Sequence, residues 1–76
     1  MTNFRSYALI TNQTLDTLAS NRNAMFEVVA KTTLDLTWRL RAIVIDEGGE
    51  TATYKFSTEV SSHEDGVMVI ARATKV

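Results

Sequence analysis

Thr37-Trp38-Arg39-Leu40-Arg41-Ala42-Ile43-Val44-Ile45-Asp46, then Glu47-Gly48-Gly49-Glu50, then Thr51-Ala52-Thr53-Tyr54-Lys55-Phe56-Ser57-Thr58-Glu59-Val60: the fold turns on this stretch. Both flanks are rich in Thr, Val, Ile and aromatic residues, and a glycine pair lies between them. That composition favours a β-hairpin. Alternation points the same way. Leu36, Trp38, Leu40, Ala42 and Val44 share one face of an extended first segment, and Ala52, Tyr54, Phe56, Thr58 and Val60 share one face of the second. A slip of one residue would turn either set to solvent. Setting Asp46 opposite Glu50 aligns both sets and leaves Glu47-Gly48-Gly49 as the loop, with Gly49 taking the positive φ such loops need. In this register Trp38 is expected in the core. Arg39, Arg41 and Lys55 then lie on the opposite sheet face, with Ile43 and Ile45 beyond them.

Working outward, Ser61–Gly66 reads as a turn and Val67–Thr74 as a third strand. Val67, Val69, Ala71 and Ala73 form one row of that strand, and Met68 and Ile70 the other. Upstream, Phe4–Ile10 reads as an N-terminal strand. Thr11 or Asn12 can cap a helix beginning at Gln13. Leu15, Leu18, Arg22, Met25 and Val29 follow at helical spacing, and Glu27 precedes Lys31 in the order that favours a helical ion pair. The cluster Ser20-Asn21-Arg22-Asn23 offers a rival: a short helix over 12–20, a turn, and a strand at Met25–Thr32. The expected architecture is α+β, with order β-α-β-β-β, an antiparallel meander sheet and one helical segment on one face. The alternative is a mostly β chain with a short helix.

Composition narrows the function classes. The chain has 76 residues and reads as a single domain over 1–76. Hydrophobic residues make up 45% and charged residues 22%, as in globular rather than disordered chains. A net charge of −1 disfavours a strongly basic nucleic-acid binder. With no cysteine and one histidine, thiolate and His-rich metal sites are excluded. The longest apolar run, Ala42-Ile43-Val44-Ile45, falls far short of the ~20 residues a membrane span needs. Met1–Arg5 opens no apolar stretch of signal-peptide length, so the expected location is cytoplasmic and no membrane partner is expected. Asn12-Gln13-Thr14 fits a glycosylation sequon, but with no secretory signal it reads as a chance match.

The chemical motifs are thin. Ser61-Ser62-His63-Glu64-Asp65-Gly66 holds the residue types of a nucleophilic triad. A triad converges from separate elements, however, and neighbours in one turn do not arrange themselves that way. Asp46, Glu47 and Glu50 cluster without the alternation of a calcium loop. Gly48-Gly49 belongs to neither standard phosphate-binding pattern. No enzyme activity, metal or cofactor is expected.

What remains is a non-catalytic protein-binding module, an inhibitor or adaptor of another protein. Its size and spareness resemble those of small phage or plasmid proteins, although no motif carries that likeness. Candidate partner-binding residues are Arg39, Arg41, Ile43, Ile45, Lys55, Met68 and Ile70. The four apolar members lack cover from a single helix and suggest a homodimer. The alternative is nucleic-acid binding through an Arg39/Arg41/Lys55 sheet face.

Overall fold

The structure is a computed structural model that describes residues 3–76. In order it comprises β1 (Asn3–Thr11), α1 (Asn12–Leu18), α2 (Arg22–Asp46), a 3-10 turn (Thr51–Thr53), β2 (Tyr54–His63) and β3 (Gly66–Lys75). The α+β class and the antiparallel sheet stand as expected. The order of elements does not. Residues 37–46, expected as a strand, form the second half of α2, so the chain runs β-α-α-β-β with two helices. The sheet order is β1-β3-β2, so β3 is central and the sheet is not a meander.

The helices are cut where capping chemistry cuts them. Thr11 accepts a hydrogen bond from the Thr14 N–H at the start of α1. After a break at Ala19–Asn21, the Asn21 side chain accepts from the Ala24 N–H and opens α2. Such caps satisfy donors that have no partner within the helix. Within α2, the hydroxyls of Thr32, Thr33 and Thr37 bond back to the carbonyls of Val28, Val29 and Thr33 at 2.8–3.0 Å. These β-branched residues therefore enter the helix with their polar atoms satisfied.

The glycine pair ends α2 rather than turning a hairpin. Gly48 takes φ +82°. Its N–H donates to the Ile45 carbonyl, and the Gly49 N–H donates to the Val44 carbonyl at 2.9 Å. This pair of bonds closes a helix on a left-handed glycine. The positive φ thus falls on Gly48 and not on Gly49.

Leu36, Leu40 and Val44 lie on one face of α2, four residues apart, and are buried against Ile10, Val69, Ala71 and Ala73. Trp38 and Ala42, expected in that core, point away from it: Trp38 is 59% exposed. On β3 the expected row of Val69, Ala71 and Ala73 is the buried one. Its cross-strand partners on β1 are Ala8, Ser6 and Phe4, and on β2 Val60, Thr58 and Phe56. The helix runs over β1 and β3 and meets β2 far less. Among the described residues no helix lies on the opposite sheet face.

Candidate protein-contact surface

The bare face is built from the alternate residues of all three strands. In the register observed, Tyr7 lies opposite Ile70 and Leu9 opposite Met68. Glu59 flanks Ile70 and Ser61 flanks Met68 from the other side. Tyr7 is 51% and Leu9 38% exposed, while Met68 and Ile70 are half-buried by these neighbours. The four form an apolar patch centred on the β1–β3 pair. Because successive side chains alternate across a strand, nothing in the core can reach them.

One end of the patch is charged. Arg5 and Arg72 are directly opposite one another, an arrangement that is mildly destabilising unless each cation finds other company. Both do. The Arg5 guanidinium sits 5.8 Å from the centre of the Tyr7 ring. Arg72 donates from Nη1 to Glu59 Oε2 at 2.8 Å. That ion pair is more than a third exposed and contributes roughly 0–1 kcal/mol. Its role is to orient two side chains. Lys55 lies on the same face, next to the Asn3–Thr74 end of the sheet. A shallow depression there is lined by Asn3, Arg5, Arg72 and Thr74. The surface is thus an apolar centre with a basic margin relieved by one carboxylate.

The residues singled out from the sequence do not come together. Arg39 is exposed on α2. Arg41, also on α2, is half-buried, its guanidinium 5.1 Å from the Trp38 ring centre and 5.8 Å from that of Phe56. Ile43 packs against the core, and Ile45 is exposed on the helix. Lys55, Met68 and Ile70 do share the bare face. The expected Arg39/Arg41/Lys55 sheet face therefore does not exist, and neither does a patch joining Ile43 and Ile45 to Met68 and Ile70. The cause is common to both: 37–46 is helix. Sequence reasoning missed Arg5, Tyr7 and Leu9. The signal for them was the alternation of β1, where Phe4, Ser6, Ala8 and Ile10 form one row and Arg5, Tyr7 and Leu9 the other.

Elsewhere the chemistry is sparse. The tight turn between β2 and β3 is held by the Asp65 N–H donating to His63 Nδ1 at 3.0 Å, and by Asn12, whose N–H and side-chain amide donate to the Asp65 and Glu64 carbonyls. Among the described residues no group of three or more His, Cys, Asp or Glu is placed to hold a metal ion. No helix among them is long and apolar enough to cross a membrane. Comparison with protein-family models finds no match, and comparisons with curated proteins and with solved structures find none.

Proposed function

We propose that this chain is a small non-catalytic binding module of the cytoplasm, which inhibits or links another protein through the bare face of its sheet. The observation that carries this reading is the apolar patch of Tyr7, Leu9, Met68 and Ile70 on a face no helix covers. Contiguous exposed apolar surface bounded by polar groups is the usual mark of a protein interface. Tyr and Arg are enriched in such interfaces, where an apolar centre is ringed by polar atoms. The basic margin of Arg5, Lys55 and Arg72, offset by Glu59, favours a partner that presents an apolar side chain flanked by carboxylates. The nucleic-acid reading keeps one support, Tyr7 beside Arg5 on a sheet face, since single-stranded bases stack on such aromatics.

A photo-crosslinking amino acid in place of Tyr7, introduced in the producing cell, tests the proposal. The expected result is one discrete crosslinked protein, absent when the same probe replaces the exposed Phe26 on α2 and lost on Ile70→Glu. A nuclease-sensitive crosslink would replace the protein reading with the nucleic-acid one. Crosslinking from position 26 but not from position 7 would remove the bare face from consideration.

A further inference from the structure

The helix leaves uncovered not only the far face of the sheet but also a ledge on its near side. β2 is an edge strand, and the helix rides over β1 and β3. On β1 the helix-facing residues Ser6 and Ile10 are buried, so that edge is already covered from above. On β2 the corresponding Thr58 is exposed and Val60 is 51% exposed. At the back of the ledge Phe56, Arg41 and Trp38 stack in turn, with Leu34 one helical turn from Trp38 and 56% exposed. The strand Tyr54–His63 has no proline to block pairing, and an unprotected edge of this length is a template for another strand.

We propose that β2 pairs with β2 of a second copy of this chain, antiparallel and two-fold symmetric about Ser57, giving a six-stranded sheet with the helices of both copies on one side. The occupant and the register follow from the side chains. Opposed residues in an antiparallel pair lie on the same face, which limits the symmetric registers to a few centred on one residue. Centring on Lys55 or on Glu59 sets a like charge against itself, which is unfavourable. Centring on Phe56 or Thr58 leaves Lys55 and Glu59 opposite uncharged residues. Centring on Ser57 places Lys55 opposite Glu59 of the second copy, twice over. On the helix side it places Phe56 opposite Thr58 and Tyr54 opposite Val60. Aromatic against β-branched is a favourable cross-strand pair. Glu59 already receives Arg72 on Oε2, so each carboxylate joins two cations across the junction. The interface goes beyond the partner surface proposed above: it draws Lys55 and Glu59 of that surface's margin into the junction and leaves its apolar centre free, because Tyr7, Leu9, Met68 and Ile70 lie on β1 and β3, away from the β2 edge.

The test uses the absence of native cysteine. Ser57→Cys introduces a single thiol on the two-fold axis. Mild oxidation at micromolar concentration is expected to convert it to a covalent dimer, while Ser61→Cys on the same strand stays monomeric. In sedimentation equilibrium, wild-type protein is expected to dimerise. Lys55→Glu replaces two attractive pairs by two repulsive ones and is expected to weaken the dimer on the order of tenfold. Mixing Lys55→Glu with Glu59→Lys chains restores opposite charges at both junctions and is expected to recover a heterodimer. Circular dichroism of each variant confirms the fold. A monomer mass up to several hundred micromolar would overturn the proposal. So would a dimer indifferent to Lys55→Glu, or crosslinking at position 61 as efficient as at position 57.

Discussion

Gly66→Ala is expected to be the most damaging alanine substitution at any glycine of the chain. Gly66 opens β3 and is paired on both sides, opposite Thr11 of β1 and His63 of β2. Its φ is +151°, a value side chains rarely adopt, and a Cβ there would run into the Ile10 carbonyl oxygen, with the Ile10 and Thr11 carbonyl carbons at 2.9 and 3.0 Å. These atoms are backbone and have no rotamer by which to move aside. The strained conformation costs about 1–3 kcal/mol, and forcing an atom into a filled site about 1–3 more. A chain of 76 residues has a total stability of about 4–11 kcal/mol at ~0.05–0.15 per residue. A loss of about 2–6 kcal/mol therefore removes much or all of it. Gly48 is the internal control: its φ is +82°, but nothing lies within 4 Å of the added atom. Gly48→Ala is expected to cost about 1–2 kcal/mol, the price of the left-handed conformation alone. Urea unfolding followed by far-ultraviolet circular dichroism reads the difference. With a slope near 1 kcal/mol per molar urea, Gly66→Ala lowers the midpoint by about 2 M or more, or leaves no transition. Equal midpoints for the two variants would refute the account of how β1, β2 and β3 meet.

Further substitutions test other parts of the fold. Leu40→Ala is expected to cost about 2–5 kcal/mol, because Leu40 is fully buried. Ala42→Glu should stay within about 0.5 kcal/mol of wild type, because that side of α2 faces solvent; a pleated 37–46 would make both changes severe. Asn21→Ala removes the cap of α2 and is expected to lower stability by about 1 kcal/mol in the same melts. The last turn of α2 carries Asp46 and no basic residue, against the helix dipole. Asp46→Lys is expected to stabilise by about 0.3–1 kcal/mol at low ionic strength, with the gain shrinking in 1 M salt.

The strands and the bare face were only partly legible in the sequence, for identifiable reasons. β3 was readable because both of its rows are distinctive, and the buried row of Val69, Ala71 and Ala73 fell where alternation put it. Its outer row, Met68 and Ile70, lies on the sheet face opposite α2 and is half-buried there by strand neighbours. Alternation in β1 groups Tyr7 with Leu9, but nothing local places them beside Met68 and Ile70, because the pairing of β1 with β3 joins distant parts of the chain. The error at 37–46 has a geometric source. Leu36, Leu40 and Val44 recur every four residues, and that spacing satisfies a strand and a helix equally. Trp38 and Ala42 fill the gaps and complete a false alternation, while Thr37 and the Ile43-Val44-Ile45 run add strand propensity. Tertiary packing overrode that propensity: a long helix buries Leu36, Leu40 and Val44 together over β1 and β3. Gly48-Gly49 directly after the last turn was also the signature of a helix end. Once 37–46 is helical, Arg39, Arg41, Ile43 and Ile45 leave the sheet, and the bare face is made by Arg5, Tyr7, Leu9, Met68 and Ile70 instead.

α2 covers one side of the sheet and leaves Tyr7, Leu9, Met68 and Ile70 on the other. Paramagnetic relaxation of methyl resonances by a soluble gadolinium chelate measures this directly in solution. The methyl signals of Leu9, Met68 and Ile70 are expected to broaden strongly, while those of Leu36, Leu40 and Val69 stay sharp. Protection of Met68 and Ile70 equal to that of Val69 would mean that face is covered, and would contradict the account.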